Sequence, residues 1–205
     1  MRKTSVVLFL AALSYSACAK EETSQTADAA NAQEVFWTAL QDMCGEAFGG
    51  TITESVPPDT SFADKELVMH VRQCEDAEIR VPFFVGDDRS RTWVISKTPQ
   101  GLRLKHDHRH EDGSEDAVTM YGGDTSQPGS AVRQEFPADD HTAFLVPTAA
   151  TNVWTLEIFP DSIFAYDLRR LGSDRRFRVE FDLTQRIPTP PAPWGHYQLH
   201  DRTRM

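Results

Sequence analysis

The sequence predicts a mainly β protein: an antiparallel meander β-barrel of about ten strands that follows one N-terminal helix. Apolar and polar residues alternate along most of the chain after residue 64, which is the period of half-buried strands. Short turns rich in Gly and Asp separate these segments, and no helical period falls between successive strands, so antiparallel pairing is predicted. Closure into a barrel removes the exposed edges of such a sheet. A two-sheet β-sandwich is the alternative.

The helix is predicted over residues 33–43 (QEVFWTALQDM). Its apolar residues recur at spacings of three and four, which places them on one face of a helix. Gly45 follows, and glycine commonly ends helices. The sequence therefore predicts one amphipathic helix that ends near Cys44.

Ten segments after this helix have strand character. Within residues 65–74, Leu67 and Met69 share one face, and His70 is predicted to face solvent on the other. A short helical segment is predicted to interrupt the strands at residues 138–145. The predicted strands cover residues 51–56, 65–74, 78–85, 91–96, 101–110, 117–121, 131–136, 152–159, 162–169 and 176–183.

Residues 1–19 are predicted to be a signal peptide. Arg2 and Lys3 form a basic start, and the apolar run at residues 5–13 is too short to span a bilayer as a helix. Such a leader predicts export to the periplasm, where disulfide bonds can form.

Two cleavage sites compete at the end of this leader. Residues 16–18 (SAC) resemble the end of a bacterial lipobox, which is cleaved before a cysteine that then carries a lipid. Tyr15 departs from that motif, which usually has Leu or Val at this position. Cleavage before Cys18 is the preferred prediction, and ordinary cleavage after Ala19 is the alternative.

The cysteine count favours lipidation. The chain has three cysteines, and a lipid on Cys18 leaves the pair Cys44 and Cys74, for which we predict a disulfide bond. The lipid would anchor the protein to a membrane. By resemblance to bacterial lipoproteins, Ala19 directly after the cysteine implies sorting to the outer membrane.

The rest of the chain divides into a tether, a domain and a tail. Polar residues 20–34 predict a flexible tether, residues 35–187 the barrel domain, and Pro-rich residues 188–205 a tail that is a strap or a loose end. A net charge of −10 argues against nucleic-acid binding and against adhesion to anionic lipids. The sequence contains no hydrolase, metalloprotease or nucleotide-binding motif, so no catalytic activity is assigned.

Residues 102–111 carry the most distinctive pattern. In a strand, Leu104, His106 and His108 share one face. Because the opposite face is charged, the histidines are predicted to continue an inward apolar stripe towards the barrel rim. The charged face, predicted to be solvent-exposed, consists of Arg103, Lys105, Asp107, Arg109 and Glu111.

The next turn fixes which residues oppose this stripe. Residues 111–113 predict a three-residue hairpin loop closed by Gly113 in the left-handed region. A two-residue loop is the alternative and would place Tyr121 opposite the stripe. The preferred register pairs His110 with Ser114, His108 with Asp116, His106 with Val118 and Leu104 with Met120.

Three interpretations of the stripe are open. The histidines can be hydrogen-bonded rim residues of a packed barrel with a structural or partner-binding role. With Asp116, His106 and His108 can form a Zn or Cu site. They can also be polar handles for a small apolar or amphipathic ligand, which is the preferred hypothesis. The predicted ligand-binding residues are His106, His108, Leu104, Trp93 and Tyr121.

Several motifs resemble those of known proteins. Residues 81–124, which include PFFVG, SRTW and KHDHRHEDG, are similar to a group of uncharacterised secreted bacterial proteins. The similarity extends through residues 152–154 (NVW) and 168–172 (LRRLG) and implies no particular activity. The order of one helix followed by a meander also resembles lipocalin-like barrels, which implies a fold and not a function.

Overall fold

The computed structural model describes residues 32–195 and consists of a nearly closed antiparallel barrel of ten strands, which confirms the predicted fold class. The strands form one continuous sheet, so the β-sandwich alternative is wrong. Helix α1 (residues 32–42) precedes the sheet, and α2 (Asp140–Leu145) with a 3-10 turn (Pro147–Ala149) interrupts it. The strands are β1 (Ala47–Val56), β2 (Leu67–His70), β3 (Gln73–Cys74), β4 (Glu78–Val85), β5 (Asp88–Thr98), β6 (Gly101–His108), β7 (Tyr121–Asp124), β8 (Arg133–Pro137), β9 (Asn152–Phe159), β10 (Ile163–Arg170) and β11 (Arg176–Ile187).

The order of strands around the barrel is β7-β6-β5-β4-β2-β1-β11-β10-β9-β8. Strand β1 pairs with β2 on one side and with the last strand, β11, on the other. The short strand β3 pairs with β4 outside this order. The seam of the barrel therefore lies between β7 and β8, which are consecutive in the chain.

Helix α2 holds this seam together. The Thr142 hydroxyl donates to the Gly122 carbonyl oxygen and accepts from the Gly122 N–H, both at 2.7 Å. The Asp139 N–H donates to the same carbonyl oxygen at 2.9 Å. A Cβ at Gly123 would lie 1.7 Å from the Pro137 carbonyl oxygen, so the close approach of β7 and β8 requires glycine there.

Helix α1 closes one end of the barrel, which confirms the predicted helix. Phe36, Trp37 and Leu40 are at most 1% exposed. They share a core cluster with Leu102 and Ile158, which lie at the start of β6 and near the end of β9. The apolar face of the helix is therefore buried at the end of the barrel to which these strand ends belong.

Aromatic rings from opposite walls fill the middle of the barrel. Trp93 on β5 stacks on Phe83 of β4 and on Tyr166 of β10, with centroid distances of 5.0 and 4.6 Å. Phe181 on β11 meets Phe83 edge-to-face at 5.9 Å. Each such pair contributes about 0.5–1.5 kcal/mol beyond the burial of its area. The core is thus continuous across the barrel at this level.

The predicted disulfide bond between Cys44 and Cys74 is present, with an S–S distance of 1.98 Å. It joins the segment after α1 to β3 and closes a loop with a sequence separation of 30. In the chain-entropy model, a loop of this length stabilises the fold by about 3–4 kcal/mol.

The proline-rich tail follows the outside of the barrel as far as residue 195. The Trp194 N–H donates to the Arg89 carbonyl oxygen at 3.1 Å, and the Arg89 guanidinium donates to the Ala192 carbonyl oxygen at 3.2 Å. Of the two predicted alternatives for the tail, residues 188–195 form the strap.

The predicted leader, Cys18 and most of the tether lie outside the described residues. The last three residues of the predicted tether, 32–34, belong to α1 and are helical. Residues 196–205 of the tail also lie outside the described residues. Among residues 32–195, no helix has the length and apolar character needed to cross a membrane.

The prediction that His70 faces solvent is wrong, since this residue is only 3% exposed. All four residues of β2 are buried. On the outer face of the barrel, Val68, Ala47 and Phe84 form a second apolar cluster, against which Ile187 packs. Strand β2 is therefore covered on both faces, which alternation alone does not reveal.

Candidate functional site

A cavity of about 210 Å³ lies at the end of the barrel opposite α1. His108 is the last residue of β6, and Phe177 is the second residue of β11. Leu102 and Leu183, which pack in the cluster with α1, lie towards the other ends of the same strands. The polar residues that line the cavity include His106, His108, Tyr121, Tyr166, Arg91 and Arg175.

His106 is the buried centre of a hydrogen-bonded chain. A carbonyl oxygen can only accept, so Nδ1–H donates to the Tyr121 carbonyl at 3.1 Å, and Nε2 accepts from the Tyr166 hydroxyl at 2.8 Å. The Tyr166 hydroxyl also accepts from the Trp154 indole. Burial lowers the pKa of His106 to about 3, against a smaller opposing effect of the bond to Tyr121. His106 is therefore a neutral imidazole with both nitrogens satisfied.

His108 lies nearer the rim and has a free nitrogen. The Tyr121 hydroxyl lies 3.2 Å from His108 Nε2, within hydrogen-bond distance, and burial raises the pKa of Tyr121 to about 12, so this hydroxyl stays protonated. Burial, and after it the charge of Arg91, lowers the pKa of His108. Within residues 32–195, His108 Nδ1 has no hydrogen-bond partner, so this nitrogen is available to a ligand in the cavity.

Two arginines line the cavity and bring positive charge to it. Arg91 forms an ion pair with Asp88 at 2.5 Å, and its guanidinium lies 5.2 Å from the centre of the Phe62 ring. Arg175, in the turn between β10 and β11, is exposed. Its guanidinium forms no ion pair with any residue that the structure describes.

Aromatic rings form the apolar part of the cavity. Trp93, which is 2% exposed, lies at its inner side. Phe62, from the loop between β1 and β2, packs edge-to-face on Phe83 and Phe177 at 5.9 and 5.6 Å. The cavity thus combines an aromatic surface with a polar wall.

Four of the five predicted ligand-binding residues line this cavity, namely His106, His108, Trp93 and Tyr121. Leu104 does not line the cavity. It is fully buried in the core cluster and lies one inward position further from the rim than His106.

The predicted metal ligands are not arranged around an ion. Both nitrogens of His106 are already hydrogen-bonded. The Asp116 carboxylate accepts from the Val118 N–H at 2.8 Å. In the described range 32–195, no three His, Cys, Asp or Glu side chains are grouped to hold a metal. The geometry gives no support to the Zn or Cu hypothesis.

The predicted turn at residues 111–113 is present. Gly113 has a φ of +86°, and its N–H donates to the His110 carbonyl oxygen at 2.9 Å. The Asp116 N–H donates to the His108 carbonyl oxygen at 3.0 Å, so the predicted pairing holds next to the turn.

Further along, the predicted register is wrong by three residues. Residues 117–120 leave the ladder, and Met120 adopts a φ of 55°. This excursion carries the chain past the predicted partners. Tyr121 opposes His106 and Gly123 opposes Leu104, in place of Val118 and Met120.

The prediction that Asp107 faces solvent is also wrong, because its side chain is only 1% exposed. The Arg109 Nε–H donates to Oδ1 at 2.8 Å, and an Arg80 N–H donates to Oδ2 at 3.4 Å. The hydroxyl of Thr119, from the loop between β6 and β7, donates to Oδ1 at 3.4 Å. Arginine side chains and this loop cover the carboxylate on the outside of the barrel.

The contributions of β10 and β11 to the site were not predicted from the sequence. Tyr166 lies two residues from both Phe164 and Leu168 and so shares their strand face, which indicates an inward side chain. The sequence has no local signal that places Tyr166 beside His106, because these residues meet across the barrel. Nor does it single out Arg175 among neighbouring arginines.

No protein-family model, curated protein or solved structure matches this chain. The similarity to secreted bacterial proteins therefore stays an expectation based on motifs. The nearly closed antiparallel barrel is compatible with the predicted resemblance to lipocalin-like barrels.

Proposed function

We propose that this protein binds one small organic molecule in the cavity at the open end of its barrel. The supporting observation is a space of about 210 Å³ with convergent polar groups, next to a core filled by aromatic side chains. An apolar cavity of about 150 Å³ holds one benzene ring, whereas drug-sized ligands occupy pockets of about 300–1,000 Å³. The cavity therefore suits a molecule with a single ring.

Different residues of the cavity lining contribute to the affinity and to the orientation of the ligand. Phe62 and Phe177 offer apolar surface, which contributes affinity through burial. His108 Nδ1, which has no partner among residues 32–195, offers a directional hydrogen bond, which orients the ligand. His106 has no free nitrogen and acts as a wall of the cavity. This division is that of a binding site, and we propose no catalytic step.

Filling the cavity should abolish binding. Leu168 lines the cavity and is partly buried, so Leu168→Trp should occupy the space. Leu171, 53% exposed, lies beyond the end of β10, and Leu171→Trp is the matched control. Native mass spectrometry of protein purified from periplasm, compared with the denatured mass, should show an organic adduct on wild type and on the control only.

One combination of results would contradict the proposed ligand binding. Wild-type protein that carries no adduct, and that binds no added benzyl alcohol in calorimetry, would reject the ligand-binding proposal. The structural or partner-binding role of a packed barrel would then replace it.

We further propose that the protein is exported to the periplasm and anchored to the outer membrane by a lipid on Cys18. The basic and apolar leader and the lipobox-like residues 16–18 support this proposal. The disulfide between Cys44 and Cys74 is in keeping with an oxidising compartment. Membrane contact would come from the lipid, since the net charge is −10.

Replacing Cys18 should release the protein from the membrane. In a bacterial host fed radiolabelled palmitate, wild type should be labelled and sediment with outer membranes. Cys18→Ser should be unlabelled, and Cys44→Ser should still be labelled. Unlabelled wild-type protein that begins at Lys20 would instead establish ordinary cleavage after Ala19.

A further inference from the structure

We propose that the ligand is a one-ring aromatic carboxylate whose anionic group binds Arg175 and Arg91. This inference rests on the proposed function and specifies the class of molecule. It follows from the charges around the cavity, their partners, and the shape of the apolar part.

The first argument is the unpaired guanidinium of Arg175. Most arginines of the described chain pair with carboxylates; Arg103 binds Asp124 in bidentate fashion at 2.6 and 2.8 Å, for example. Arg175 lines the cavity, and its side chain makes no such pair within residues 32–195. The planar fork of a guanidinium matches a carboxylate, so an incoming carboxylate would supply the missing partner.

The second argument is the charge balance at the cavity. Arg91 is held in place by Asp88 and by the Phe62 ring, and its charge contributes to lowering the pKa of His108. Asp116, Asp107 and Asp88 act on the pKa of His108 in the opposite direction, and Asp88 already pairs with Arg91, so the positive charge at the cavity that lacks an ion-pair partner among residues 32–195 is that of Arg175. One acid, Asp59, also lines the cavity, but its Oδ1 already accepts the N–H of Phe62 at 2.7 Å.

The third argument is the contrast between the site and the rest of the molecule. The chain carries a net charge of −10, which disfavours anions in general. Two guanidinium groups at one small cavity oppose that trend. Beside them, Phe62 and Phe177 offer apolar surface for a ring. A neutral apolar ligand would leave the Arg175 charge unused.

Benzoate and its neutral analogue benzyl alcohol separate the two possibilities. In calorimetry on the folded wild-type chain, benzoate should bind about tenfold more tightly, because its carboxylate can form charge-assisted, bidentate hydrogen bonds that the alcohol cannot form. Arg175→Gln should weaken benzoate binding by about tenfold or more and leave benzyl alcohol binding unchanged. Arg176→Gln, whose side chain does not line the cavity, is the matched control and should bind both probes as wild type does.

Each contrary outcome identifies which proposal fails. Equal affinity of wild type and Arg175→Gln for benzoate, or tighter binding of benzyl alcohol than of benzoate, overturns the carboxylate assignment and leaves the binding function intact. If wild type binds neither probe and carries no native adduct, both proposals are overturned.

Discussion

The free energy of unfolding should decrease by about 2 kcal/mol from pH 7 to pH 5 because of His106 alone. The pKa of this buried imidazole is about 3 in the folded protein, against 6.5 for an exposed histidine. Between these values the unfolded chain binds a proton that the folded chain excludes, so acidification favours unfolding. The stabilisation is complete above pH 6.5 and is lost as the pH falls towards 3.

The structural reason is the occupied Nε2 of His106. Protonation there would require the Tyr166 hydroxyl, which donates to this nitrogen at 2.8 Å, to turn away inside a packed core. Burial also lowers the pKa values of His70 and His108, which adds to the decrease in the same direction. Exposed carboxylates titrate near pH 4, so the interval from pH 7 to pH 5 reports mainly on histidines.

Urea unfolding at pH 7, 6 and 5 measures this dependence. His106→Gln should lower stability at pH 7 and should flatten the pH dependence by about 2 kcal/mol over the interval. His110→Gln, which replaces an exposed histidine beyond the end of β6, is the control and should keep the wild-type slope. Equal slopes for wild type and His106→Gln would contradict a buried neutral His106.

Much of the fold could be predicted because its determinants are local. Alternation with period two marks strands, and Gly113 marks the hairpin turn next to β6. The spacing of Phe36 and Leu40 marks α1. Cysteine parity predicted the disulfide bond, since it requires only a count and an oxidising compartment.

The candidate site could be predicted only on one wall. His106 and His108 were placed inward because the other face of their strand is charged, and the structure puts both at the cavity. Tyr166 and Arg175 come from the opposite wall, which faces β6 only because β1 pairs with β11 and closes the barrel. No local pattern specifies that closure, so the contribution of Tyr166 and Arg175 to the site could not be predicted from the sequence.

Alternation also failed where the outside of the barrel is covered. Asp107 was assigned to solvent because it shares a strand face with four other charged residues, and His70 because it lies opposite Leu67 and Met69, yet both are buried. The cover comes from side chains on other strands and from a long loop. A period of two identifies two faces, but it cannot tell whether a second layer covers the outer one.

Replacing Asp107 should destabilise the protein more than replacing any exposed acid. Removing one partner of a fully buried ion pair costs about 3–5 kcal/mol, because the remaining charge stays buried and unpaired. Here the side chains of Arg80 and Arg109 are 26% and 25% exposed, and they retain Glu78 and Glu115 as partners. We therefore expect Asp107→Asn to lower the free energy of unfolding by about 2–3 kcal/mol.

Asp124→Asn is the matched control for this experiment. Asp124 also binds an arginine on a neighbouring strand, Arg103, but the two side chains are 43% and 46% exposed. Exposed pairs of this kind contribute about 0–1 kcal/mol, so the control should unfold at nearly the wild-type urea concentration.

Adding Arg109→Gln to Asp107→Asn should lower the free energy of unfolding by less than the sum of the two single changes, since both remove the same contact. Equal destabilisation by Asp107→Asn and Asp124→Asn would show that burial of Asp107 does not strengthen its interactions. The expected difference would instead establish that a buried ionic cluster fastens the end of β6, where His106 and His108 reach the cavity.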